Sequence, residues 1–124
     1  MASGLLAAGC SVQAVPVTSA SPSNYAQLAA DSAIAGTLRK KPSFGPLEIS
    51  GLKKTVLGEP GDWRACLRTM ESGRFVYFSV FYVGNVVDTS RRSVAIDRCE
   101  QERQFLALPP ATPKSKRKRD SQTS

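Results

Sequence analysis

Histidine is missing from the 124-residue chain. Imidazole is the side chain best placed for proton transfer near neutral pH and the commonest metal ligand. Its absence removes Ser–His, Cys–His and His–metal arrangements together, although carboxylates and lysines can still do acid–base work. Long apolar runs are missing too. No stretch approaches the roughly 18 residues that a membrane-crossing helix needs. There is no nucleophile elbow, no phosphate-binding glycine loop and no internal repeat. These absences argue against an enzyme, and neither a cofactor nor a metal is expected.

What is present is ordinary for a globular protein: 41% hydrophobic and 22% charged residues. The length suits one domain with one core. The formal net charge of +7 is partly local. Lys114, Lys116, Arg117, Lys118 and Arg119 crowd one tail, and Asp120 takes one charge back, so the remaining body carries only +3. Three readings of this tail stand side by side. It can be a nuclear-localisation or nucleic-acid arm. It can meet anionic headgroups, at about 1 kcal/mol per cation near the surface. It can simply solubilise the chain.

Residues 24–41 read as a helix. Asn24 is placed to cap it, with Gln27 three positions on, and Tyr25, Leu28, Ala29, Ala35 and Leu38 recur near helical spacing. Arg39, Lys40 and Lys41 suit its negative end, and Pro42 stops it. From Gly45 the pattern changes to strands. Residues 47–52 alternate apolar and polar, and residues 63–70 place Trp63, Ala65 and Leu67 on one face. After a turn at 71–73, residues 74–83 are almost entirely β-branched or aromatic and apolar on both faces, which predicts a central strand covered twice. Gly84-Asn85 predicts a tight hairpin. The return strand starts at Val86, is interrupted by a bulge at Arg91-Arg92 and resumes over 93–97. Residues 105–108 predict a last short strand or a strap over the core. The fold expected is α+β: one N-terminal helix packed on a small antiparallel sheet of about four strands in a meander. The domain is expected over 24–108, with a flexible linker over 11–23 and a disordered basic tail over 109–124.

Residues 1–10 end in Ala8-Gly9-Cys10 after a short apolar patch, Leu5 to Ala8. This resembles the lipobox of bacterial lipoprotein signal peptides, in which small residues precede a cysteine whose thiol carries a diacylglycerol. Leu6 lies one position earlier than the usual leucine. No Lys or Arg precedes Cys10, so either the start lies upstream of Met1 or the segment is not a signal. The alternative is an N-terminal tail that happens to contain a cysteine. If Cys10 carries lipid, Cys66 and Cys99 remain, and two can pair. They lie on the second strand and just past the fourth, which are not neighbours, so a bridge needs the chain after the fourth strand to curl back. Such a bridge would contribute about 3 kcal/mol and would need an oxidising compartment. Two buried free thiols are the other possibility. A metal site on two cysteines without histidine falls short of the usual four ligands.

Three stretches carry a wider likeness: Pro60-Gly61-Asp62-Trp63 with Cys66; Tyr77-Phe78-Ser79-Val80-Phe81 with Gly84-Asn85-Val86-Val87-Asp88; and Val94-Ala95-Ile96-Asp97-Arg98-Cys99-Glu100. Together, over about residues 35–105, they resemble a group of small, uncharacterised bacterial lipoproteins with a lipobox cysteine, a short helix and a β-meander holding two further cysteines. The resemblance implies an envelope location and a lipid on Cys10. It supplies no activity. Ser11 after the cysteine permits outer-membrane sorting.

Three polar groups are candidate sites. Asp62-Trp63 can offer an indole to a ligand, though a strand tryptophan among apolar neighbours is more often core. Arg91-Arg92 can grip a phosphate or carboxylate, though such a pair more often marks a solvated edge. Asp97, Glu100 and Glu102 can act as acid and base or bind Ca²⁺, but a solvated acidic edge facing Arg98 and Arg103 explains them more simply. The function expected is a non-enzymatic envelope lipoprotein with a binding or structural role, held to the membrane through Cys10 and facing the periplasm. The alternative is a cytosolic protein that binds nucleic acid through its basic tail.

Overall fold

The structure, a computed structural model, describes residues 19–113. Two short helices, α1 (Tyr25–Ala30) and α2 (Ala33–Arg39), precede β1 (Glu48–Ser50), β2 (Lys53–Lys54), β3 (Trp63–Glu71), β4 (Arg74–Val83) and β5 (Val86–Arg92). Two single 3-10 turns, Ala95–Asp97 and Cys99–Gln101, lead to β6 (Phe105–Ala107). All strand pairings are antiparallel, in the order β5-β4-β3-β1-β6, with β2 beside β3. The α+β class holds, with six strands in place of about four.

The β3–β4–β5 meander forms where its residues point. The β3–β4 hairpin turns at Ser72 and Gly73, both at positive φ, and Gly84 opens the β4–β5 turn at φ 56°. Successive side chains alternate between faces. One face of the sheet gives Ala65, Leu67, Val76, Phe78, Val80 and Tyr82 to a core completed by Ala29, Ala30, Ala35 and Leu38 of the helices. Buried Tyr82 keeps its polar end satisfied by donating to the Tyr25 carbonyl at 2.9 Å. Gly61 shows how closely the loop before β3 approaches this sheet. It sits at φ +68°, and a Cβ there would lie 3.1 Å from the Tyr82 carbonyl oxygen. Gly61→Ala is therefore expected to cost about 1–2 kcal/mol, read as a fall in the urea midpoint at unchanged slope.

Several expectations are corrected. The single helix over 24–41 is broken at Asp31-Ser32. The Ser32 hydroxyl donates to the Ala29 carbonyl at 2.6 Å, closing α1, and accepts from the Ala35 N–H at 3.4 Å, capping α2. A serine able to serve both ends competes with the helix interior. Asn24 makes no side-chain cap; Gln27 donates instead to Asp31 and to the Pro110 carbonyl. Strand β5 runs through Arg91 and Arg92 uninterrupted. Its irregularity lies at Asp88, where the register shifts between Phe81 and Tyr82. Residues 93–97 leave the sheet, because the buried Asp97 carboxylate draws the chain across it.

Residues on either side of 24–108 also make contacts with the sheet and helices. Ser19 is hydrogen-bonded to Asp62 and Trp63, and Thr112 to Asp31. Cys10 and the basic residues Lys114, Lys116, Arg117, Lys118 and Arg119 lie outside the described residues.

Candidate functional site

On the sheet face away from the helices, Cys66 of β3 stands opposite Ser79 of β4, and Arg64 stands opposite Phe81. After β5 the chain folds back over this face. Cys99 thereby reaches Cys66, across β4, and the two form a disulfide with Cα atoms 5.6 Å apart. This is the curl that a bridge between non-neighbouring strands requires. Both cysteines are buried.

Two groups of charges flank the disulfide. On one side, fully buried Asp97 accepts from the Ser79 hydroxyl at 2.6 Å, from Arg91 Nη2 at 2.7 Å and Nε at 3.1 Å, and from the Val94 N–H at 3.3 Å. Burial alone pushes its carboxyl pKa upward. Arg91, Ser79, Val94 and Glu59 together overcome that and hold it at about 2. Asp97 in turn raises the Arg91 pKa.

On the other side, buried Arg64 donates from Nη1 to Glu102 Oε2 at 3.0 Å and to Cys66 Sγ at 3.1 Å. Lys53 meets the same Glu102 oxygen at 3.0 Å. Burial of Glu102 favours its neutral form, but Arg64 and Lys53 bring its pKa below the ordinary carboxylate value.

Glu59 lies between the two groups. Its side chain is 2% exposed. Oε1 accepts from the Val56 N–H at 2.8 Å, while Oε2 sits 3.9 Å from Arg64 Nε and has no hydrogen-bond partner as a carboxylate. Burial first, and then the Asp97 carboxylate, raise the Glu59 pKa. A protonated Glu59 donates to Asp97, which satisfies the orphaned oxygen.

These groups are paired with one another and tie together elements far apart in the chain. Glu59 fastens the 55–62 loop from beneath. Asp97 and Cys99 fasten the two 3-10 turns. Glu102 ties the start of β3 to β2.

The sequence candidates fare differently. Trp63 is half-buried and donates from Nε1 to the Ser19 carbonyl at 2.9 Å, while Asp62 accepts the Ser19 N–H at 3.0 Å. The Ser19 N–H and hydroxyl lower the Asp62 pKa. This pair therefore grips the N-terminal segment. Arg91 is not a free edge charge but the partner of Asp97. Arg92 lies over the Phe78 ring, 5.7 Å from its centroid. The expected cluster of Asp97, Glu100 and Glu102 is split: Asp97 turns to Arg91, Glu102 to Arg64 and Lys53, and Glu100 stays exposed. Glu59, Arg64 and Ser79 were not singled out from the sequence. The one visible signal was a serine inside the aromatic run of β4.

Elsewhere, Arg68 lies 4.1 Å from the ring centroids of both Phe75 and Phe105 and pairs with Glu48 at 2.6 Å. Beside it is a cleft of about 390 Å³ lined by Tyr25, Ser50, Arg103 and Phe105 among others. Among the described residues, no cluster of three or more His, Cys, Asp or Glu is placed to hold a metal ion. No helix among them is long and apolar enough to cross a membrane. No family model, curated protein or solved structure matches the chain.

Proposed function

We propose that this chain forms the folded domain of a lipid-tethered bacterial envelope protein, held to the membrane through Cys10 and serving a binding or structural role rather than a catalytic one. The observation that carries the reading is the buried Cys66–Cys99 disulfide. Disulfides persist in exported proteins and are rare where thiols are kept reduced. Two further features support it. Ala8-Gly9-Cys10 has the residue types of a lipidation site, and residues 11–18 have linker composition. The charged groups beside the disulfide are committed to one another, which favours a structural role for them. A diacylglycerol on Cys10 would itself supply two acyl chains, and the tail cations on anionic headgroups would add to that anchor. A cytosolic nucleic-acid binder, the other reading of that tail, fits the disulfide poorly.

In the native host, Cys10→Ser is expected to move the protein from the membrane fraction to the soluble fraction. A variant that stays equally membrane-bound would contradict the reading.

A further inference from the structure

The 55–62 loop is built in an unusual way. It closes with two bonds, Glu59 N–H to the Val56 carbonyl at 3.0 Å and Val56 N–H to Glu59 Oε1 at 2.8 Å. It is held from below by a buried carboxyl, so its shape is fixed. Its tip is nevertheless apolar and turned outward: Leu57 is 97% exposed and Val56 41%. Ile96, also exposed, stands beside it. A Cβ on Gly58 would lie 2.7 Å from Ile96 Cδ1. Leu57 therefore contributes almost nothing to the core, while the polar network keeps it displayed.

Two lysines precede this tip in the chain, Lys53 paired with Glu102 and Lys54 5.9 Å from the Trp63 ring centroid. Lys53 and Lys54 form β2 immediately before the loop, and both are exposed. Lys53 keeps 60% of its side chain in solvent even while paired with Glu102.

The position of the tip is set by the same loop. Asp62, at its end, accepts the Ser19 N–H, and the Ser19 hydroxyl accepts the Gly84 N–H at 2.8 Å. The chain from Cys10 thus enters the domain at the end that displays the tip. The β4–β5 turn lies at this end as well, with Val86 64% exposed. Nine positions separate Cys10 from Ser19, so this end of the domain cannot lie more than about 30 Å from a lipid on Cys10.

We infer that residues 56–57, with Lys53 and Lys54, form a bilayer-contacting tip that dips into the interface of an anionic membrane; this rests on the lipid-tethered reading above. An exposed aliphatic pair preceded by two lysines has the chemistry of an interfacial anchor: apolar groups enter the headgroup boundary while ammonium groups meet phosphates. Each lysine near such a surface strengthens partitioning about fivefold.

The test uses the full chain carrying Cys10→Ser, with its disulfide intact, sedimented with vesicles of mixed phosphatidylglycerol and phosphatidylcholine. Val56→Glu/Leu57→Glu is expected to weaken partitioning at least about tenfold. Lys53→Glu/Lys54→Glu should weaken it about twentyfold or more on these vesicles and little on phosphatidylcholine alone. Thermal unfolding of the tip variant should match that of the parent, because the altered side chains are solvated. Equal partitioning of tip variant and parent overturns the inference. So does a concentration-dependent dimer, seen by sedimentation velocity, that the tip variant abolishes without any vesicle binding by the parent. Because Cys10 is absent from the assay, failure here is separate from failure of lipidation, which is read on Cys10 itself.

Discussion

Removing the disulfide by Cys66→Ala/Cys99→Ala is expected to lower the thermal midpoint by roughly 15–25 °C. The bridge spans a sequence separation of 33 residues, which by loop-closure entropy corresponds to about 3–4 kcal/mol. In a domain of this size each kcal/mol moves the midpoint by about 4–8 °C. The effect should sit near that range because the bridge cross-links the middle of the segment laid over the sheet directly to β3. Without it, the ion pairs of Asp97 and Glu102 and the Ser79–Asp97 hydrogen bond must hold that segment. The comparison belongs in a Cys10→Ser background, so that no third thiol can exchange, and is read by calorimetry. A loss under about 5 °C would show that the flanking charges are sufficient.

Asp97→Asn is expected to cost about 3 kcal/mol, whereas Glu59→Gln should change stability by less than about 1 kcal/mol. The asymmetry follows from the charges. Asparagine at 97 leaves Arg91 facing an amide N–H or a weaker acceptor, and it removes the carboxylate that accepts from Ser79 and Val94. Glutamine at 59 imitates the protonated acid and can donate to Asp97 as the acid does.

The same pair sets the pH profile. Asp97 titrates at about 2 in the fold, against about 3.9 in an unfolded chain. Its contribution is therefore complete above about pH 4 and is lost as pH falls toward 2. Glu59 has the opposite sign. Its raised pKa gives a contribution that is complete below the unfolded carboxyl value, near pH 4.3, and is lost as pH rises through the folded value. Arg64, Arg91 and Asp97 are the charged groups that act on it. Urea midpoints at pH 3, 5 and 7 should peak on the acidic side of neutral. Glu59→Gln should remove the decline toward neutral pH while keeping the loss below pH 4. A variant that keeps the neutral-side decline would place its origin elsewhere.

The meander was legible because its residues are unambiguous. Residues 74–83 have no helical reading, and Gly84-Asn85 turns tightly. Residues 63–70 alternate cleanly around Trp63, Ala65 and Leu67. The helix break was not legible, since Asp31-Ser32 lies inside an unbroken apolar period and only tertiary packing decides whether Ser32 caps. Nor was the exit from β5. Val94-Ala95-Ile96 has strong strand propensity, but Asp97 finds Arg91 and Ser79 across the sheet, and burying that charge with its partners outweighs local preference. The site was legible only as parts. Cys66 and Cys99 could be seen as a possible pair, yet Arg64 joins the site through a contact with Glu102, 38 residues away in the chain, and Glu59 through Asp97. No periodic pattern encodes such contacts.

We propose that this domain works outside the reducing cytoplasm, tethered by lipid. Mass spectrometry of the intact protein purified from its native host tests it most directly. The expected result is an acylated N-terminal Cys10 and a mass two hydrogens short, assigned by peptide mapping to Cys66 and Cys99. An unmodified chain that retains residues 1–9 with three free thiols would contradict it.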